Sequence, residues 1–192
     1  MHALVRPFRP LALGAALLVL AACDGGGGGT GSDRLTSAET QGVYQVCALR
    51  FVPTQQLLPA ADLLQRVIQT APPQGKPTPT LTLSGNAPQF ELVYTRRSDN
   101  FLQQYRGTLG YTENAVTVGF GSSTGTIARE LLLPGSVTLA FTATPRRLST
   151  TGSAVYSVSR ADYARASGAS EENLAERING RLVASFSVGA CP

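Results

Sequence analysis

Residues 89–95 read QFELVYT, 105–111 read YRGTLGY and 115–120 read AVTVGF. In each, apolar residues alternate with polar or small ones at period two, the pattern of a strand with one buried face. Phe90, Leu92 and Tyr94 share a face. So do Tyr105, Gly107, Leu109 and Tyr111, and so do Val116, Val118 and Phe120. The turns between the segments test whether those faces can meet. With residues 98–101 as a four-residue loop, Arg97 opposes Leu102, and Tyr94, Leu92 and Phe90 face Tyr105, Gly107 and Leu109. With Glu113-Asn114 as a two-residue turn, Tyr111 faces Val116, Leu109 faces Val118, and Gly107 leaves room for the Phe120 ring. A slip of one residue would turn every apolar side chain to the wrong face. The segment therefore reads as a three-stranded antiparallel meander.

Further strands flank it. Val43 to Val52 is β-prone with apolar residues on both faces. Leu81 and Leu83 alternate with Thr82. Ile127 to Leu133 forms another apolar run, Val137, Leu139 and Phe141 alternate cleanly, Ser153 to Val158 is weaker, and Leu182, Ala184, Phe186 and Val188 share a face. Leu133-Pro134-Gly135-Ser136 has the residues of a type II turn. Two helices are expected. Pro59 to Thr70 carries Leu63, Leu64, Val67 and Ile68 before Pro72-Pro73, with a stiff Pro-rich loop to Pro79. Ser170 to Asn179 has Glu171 and Glu172 in its first turn and Gly180 beyond its end; the alternative there is a hairpin turn at Asn179-Gly180. The expected fold is all-β: an antiparallel up-and-down barrel, or a two-sheet sandwich, of about eight or nine strands with one or two short helices.

The 192-residue chain is 43% apolar and 15% charged, which excludes disorder as its main state. Its first residues form a leader. Arg6 and Arg9 precede the uncharged run Leu11–Leu20, which is too short to span a bilayer at about 20 residues. Leu20-Ala21-Ala22-Cys23 resembles the lipobox of bacterial lipoproteins, and that resemblance implies cleavage before Cys23 and lipidation of its thiol. The alternative is an ordinary signal peptide cleaved near Ala22. Gly25 to Gly29 then forms a flexible tether. The expected organisation is a signal peptide over 1–22, a lipidated cysteine and tether over 23–39, and a β domain over 40–192. The address is the cell envelope, with the domain exported on the periplasmic side. Asp24 resembles the inner-membrane retention signal of enterobacterial lipoproteins.

Cys47 and Cys191 remain after lipidation. An oxidising compartment makes a disulfide the expected state. It would close a loop of more than 140 residues, worth about 4–5 kcal/mol by chain entropy. It would also bring the first and last strands together, as a closed barrel requires. The body loosely resembles lipocalin-like barrels. Gly42-Val43-Tyr44 stands where that family carries Gly-x-Trp, but the chain has no tryptophan, so no ligand residue carries over.

The formal charge of +4 falls once Arg6 and Arg9 leave, because 14 basic residues then face 12 acidic ones. Arg96-Arg97 and Arg146-Arg147 are pairs, not the stripe a nucleic-acid surface needs. No nucleic-acid partner is expected. The single histidine, His2, departs with the leader, which removes triad chemistry and histidine metal sites. Neither a cofactor nor a metal is expected. Gly121 to Gly125 matches G-x-S-x-G but lies between antiparallel strands without a base. The glycine run lacks the ending of a phosphate loop. Lys76 sits in a Pro-rich loop, and Asp62, Glu91, Asp99, Glu113, Glu130 and Asp162 are scattered. A non-enzymatic role is therefore expected. Arg129 and Glu130 are adjacent in the expected strand 127–133, so one would point inward, where a charge needs a partner or water. With Tyr94, Tyr105, Tyr111 and Phe120 on the wall, these residues suggest a small apolar or amphipathic ligand inside a barrel. The rival reading is a structural or protein-interaction module of the envelope.

Overall fold

A computed structural model describes residues 34–122 and 125–191. The leader, Cys23, the glycine run, and Ser123 and Thr124 of the G-x-S-x-G match lie outside the described residues. The strands are β1 (Gly42–Pro53), β2 (Ala61–Asp62), β3 (Thr80–Leu83), β4 (Gln89–Thr95), β5 (Leu102–Tyr111), β6 (Ala115–Gly119), β7 (Ser136–Ala143), β8 (Arg146–Thr150), β9 (Tyr156–Ser159) and β10 (Arg177–Ser187). The helices are α1 (Ser37–Thr40), α2 (Leu63–Arg66), α3 (Thr126–Glu130) and α4 (Arg160–Ser167), with one 3-10 turn at Glu171–Asn173.

Eight strands close an antiparallel barrel in the order β1-β3-β4-β5-β6-β7-β8-β10, and β10 returns to β1. The two short extras lie at the margins: β2 pairs only with β1, and β9 only with β10. Cys47 and Cys191 are bonded across the closing seam, with Cα atoms 5.3 Å apart over a sequence separation of 144. The barrel, rather than the sandwich, is the architecture.

The first strand explains why apolar residues appeared on both of its faces. Its pairing with β10 shifts register between Val46 and Ala48, so Cys47 forms a bulge. Tyr44 and Val46 point inward before it, and Leu49 and Phe51 after it. One extra residue resets the period of two.

The meander holds, with one adjustment. β5 and β6 pair as Tyr111 with Val116 and Leu109 with Val118, around Glu113-Asn114, as the two-residue turn requires. Between β4 and β5 the turn is residues 97–100, not 98–101, so Leu92 faces Tyr105 and Phe90 faces Gly107. Asn100 takes a left-handed φ of 60°, and the Asp99 carboxylate accepts the Phe101 N–H at 3.0 Å, which sets the turn one residue early. The offset is an even number of residues, so the buried faces survive. The ring that needs Gly107 is therefore Phe90: a Cβ there would lie 2.4 Å from the Phe90 ring and 2.2 Å from the Gly119 carbonyl.

Four expectations on secondary structure fail. Residues 127–133 are not a strand. α3 is followed by Leu131, Leu132 and Leu133, all buried, which no single strand face could accommodate. Gly135 does not take the positive φ that a type II turn needs at its third residue, so residues 133–136 do not form one, and Leu132 turns the chain instead with φ 49°. The stretch 170–179 is neither a helix nor a hairpin turn. Its first part is the 3-10 turn, and Asn179-Gly180 lies within β10, whose Ile178, Gly180, Leu182, Ala184 and Phe186 all face inward. Gly180 is the inward residue there because the Phe51 ring occupies its side-chain space, 2.3 Å from where a Cβ would stand. Of the helix expected over 59–70 only the single turn α2 forms, directly after β2, and Asp62 caps it by accepting from the Leu64 and Gln65 N–H groups.

Candidate functional site

The barrel interior comes first because a ligand was expected there. Its lining is wholly apolar, including Leu49, Leu92, Val118, Leu139, Leu182 and Phe186, and the space left among them is about 10 Å³. That is about one water's worth of room. Phe120 and Tyr105 stack at 6.1 Å between ring centres, and Phe90 meets Phe120 edge-on at 5.4 Å, so aromatic rings occupy the volume.

Charged groups gather instead at the end of the barrel carrying α2, α3, α4 and the 97–100 turn. Ser159 caps α4 by accepting the Asp162 N–H at 3.1 Å, and its hydroxyl donates to the Asp162 carboxylate at 2.6 Å. Asp162 is only 5% exposed. It receives Arg129 through two N–H groups at 3.1 and 3.2 Å, and Arg165 from its own helix. Burial alone would raise its pKa, but the hydrogen bonds from Arg129, Ser159 and Arg165 outweigh that and hold the carboxyl below its ordinary value. This bridge ties α3 to α4.

Beside it, Glu130 accepts from Arg96 at 3.4 Å, while Arg96 also holds Asp99 across the turn. Burial raises the Glu130 pKa, with Arg96 opposing. Tyr94 is fully buried behind it, and among the described residues its hydroxyl finds no partner within hydrogen-bond geometry. Burial, and then the neighbouring Glu130 charge, push the Tyr94 phenol upward.

Arg129 borders two of the clefts that open on this end. One, about 260 Å³, lies among Arg96, Ser98, Thr126, Arg129, Glu130 and Arg165. The other, about 270 Å³, runs between β9 and the segment 132–135, with Arg129, Asp162 and Arg177 at its sides.

The residues singled out from the sequence thus separate. Arg129 and Glu130 sit on α3 and not on a wall strand, so neither points into the barrel; each instead reaches a partner at its rim. Tyr94 joins Glu130 there. Tyr105 donates its hydroxyl to the Phe120 carbonyl and packs with Phe120 inside the barrel. Tyr111 lies toward the opposite end, beside Tyr44, where Arg146 stands 6.0 Å from the Tyr44 ring centre. The sequence reading passed over Arg96, Asp162, Arg165 and Arg177 as parts of one site. A signal was present for α4: Ser159-x-x-Asp162 is a helix-start spacing. Nothing local announced that α3 would face it.

Among the described residues, no group of three or more His, Cys, Asp or Glu side chains is placed to hold a metal, and no helix is long and apolar enough to cross a membrane. Comparison with known protein families, curated proteins and solved structures finds no match.

Proposed function

We propose that this chain is a lipid-anchored cell-envelope protein whose barrel is a non-catalytic interaction module, binding through the charged helical end. The anchor rests on Leu20-Ala21-Ala22-Cys23 and the glycine run behind it. The binding surface rests on one observation: the interior offers about 10 Å³, whereas two clefts of about 260 and 270 Å³ flank Arg129 outside it. A pocket that encloses a small molecule needs on the order of 300 Å³ or more. Open clefts edged by guanidinium groups suit contact with another protein's surface, since Arg offers several donors from one rigid plane.

The test uses the full-length chain in cells, with a photo-crosslinking residue at Arg165 on the helical end or at Glu113 on the opposite turn. Crosslinks to a reproducible partner from position 165 alone are expected. Equal crosslinking from both positions, or none from 165, would overturn the reading. Mass spectrometry of the native protein checks the anchor: a diacylglycerol thioether on Cys23 is expected, and a free thiol there contradicts it.

A further inference from the structure

We infer that the cleft beside β9 takes an extended, acidic segment of a partner protein as an added strand. The inference deepens the interaction reading above and rests on it. It begins with the edges of the sheet. β9 pairs with β10 on one side, and among the described residues no strand pairs with it on the other. The hydrogen-bond phase tells which groups face the free side. Arg160 N–H donates to the Glu176 carbonyl at 3.0 Å, so that pair is hydrogen-bonded. Antiparallel pairs alternate. Val158 with Ile178 and Tyr156 with Gly180 therefore also bond inward, consistent with their register. Ser157 and Ser159 are left with their N–H groups directed to the open side.

Those two residues line the 270 Å³ cleft. Among the described residues the free edge is thus not covered; it borders the cleft. Two residues of a strand span about 6.6 Å, the spacing at which an incoming strand presents successive carbonyls on one edge. The opposite wall is Leu132 to Gly135, and Tyr156 fixes it by donating its hydroxyl to the Leu132 carbonyl. The floor carries Ala128, Leu133 and Val158, all buried, which suits an alternate apolar side chain of the guest.

The sides set the charge of the guest. Arg177 is exposed and donates to the Ser157 carbonyl at 3.1 Å, lying along the edge itself. Arg129 spends Nε and one terminal nitrogen on Asp162, leaving the other without a partner among the described residues. Asp162 is the acid that lines the cleft, and both Arg129 and Arg165 already bind it. A carboxylate from the guest would meet uncommitted guanidinium donors, whereas an added cation would meet like charge.

The experiment uses the full-length protein purified in detergent and two blocked peptides, Thr-Glu-Val-Glu-Val-Thr and its Lys-for-Glu counterpart. Hydrogen exchange at Ser157 and Ser159 is followed by NMR, and affinity by anisotropy. The acidic peptide is expected to slow exchange at both amides and to bind about tenfold tighter than the basic one. Ser157→Pro removes an edge donor and should abolish binding. Should that variant misfold, Arg177→Glu, an exposed change, should weaken binding by about tenfold with unfolding unaltered. Unchanged exchange at Ser157 and Ser159 under saturating acidic peptide, or equal affinity for the basic one, overturns the inference. If position 165 still crosslinks a partner in cells, that failure belongs to the edge alone and the interaction reading stands. If no position crosslinks, the reading beneath it has failed as well.

Discussion

The wall of the barrel and its helical end are held by different physics. From β3 to β7 the wall is a run of sequential antiparallel neighbours whose inner residues are mostly apolar, buried on β3, β4 and β6 and partly so on β5. Its stability comes from area removed from water and from ring packing, so it depends on shape. The helical end rests on short elements. α2, α3 and α4 have four, five and eight residues, too few to stand without packing. Asp162 between Arg129 and Arg165 ties α3 to α4, Arg96 between Glu130 and Asp99 ties α3 to the turn, and Leu63, Tyr163 and Ala166 are fully buried beneath them. The wall is thus intolerant of added volume, and the end adds ion pairs whose carboxylates carry shifted pKa values. A module that must keep its form while presenting an adaptable surface benefits from that division.

The comparison can be strained at four points, from the largest effect downward. Replacing Cys47 and Cys191 by Ser removes the crosslink at the seam and should lower stability by about 4–5 kcal/mol. The barrel should still close, because β1 and β10 pair from Gln45 to Pro53 without it. Denaturant unfolding gives the loss, and retained exchange protection along β1 gives the closure. Next, Gly107→Val sets a branched side chain where even a Cβ meets the Phe90 ring and the Gly119 carbonyl. About 3 kcal/mol of destabilisation is expected, spread over the whole barrel in thermal unfolding.

Asp162→Ala attacks the other region. It removes the acceptor shared by Arg129, Arg165 and Ser159 and should cost about 2 kcal/mol, less than a sealed ion pair because both arginine ends reach water. Exchange should quicken in α3 and α4 while β3 to β7 stay protected. The smallest effect is in pH. Asp162 has a lowered folded pKa, so its contribution is present above the unfolded value near 3.8 and is lost as pH falls through the folded one. Glu130 has a raised folded pKa, so its contribution has the opposite sign: full below 4.5 and lost as pH rises through the folded value. Glu130→Gln should erase the second slope and leave the first. A pH titration of local exchange in α3 and α4 separates them.

The same division decides how far the sequence could be read. Strands of the wall carry their information locally: alternation in 89–95, 115–120 and 137–141 predicts strands that the structure contains, and β5 to β6 pairs in the expected register. Reading failed where a residue's role depended on a distant partner. β8 has one fully buried apolar side chain, Leu148, too little for a period to show. Gly180 imitates a helix end, yet it is small because Phe51 crosses from another strand. Arg129 and Glu130 were noticed as charges in an apolar run, but their partners Asp162 and Arg96 lie 33 and 34 residues away. A charge pair between short helices leaves no periodic trace in one sequence. The disulfide was legible because setting Cys23 aside as the expected lipid site left two cysteines to pair.

On the proposed reading, binding belongs to the outer helical end because the barrel interior leaves only about 10 Å³. This is tested most directly by native mass spectrometry of the full-length protein after incubation with a lipid extract, beside NMR shifts of the Leu49, Leu92, Leu139 and Phe186 side chains. The account predicts no non-covalent lipid adduct and unmoved resonances at those four positions. A one-to-one adduct that shifts them would contradict it, showing a barrel that opens to hold its ligand inside.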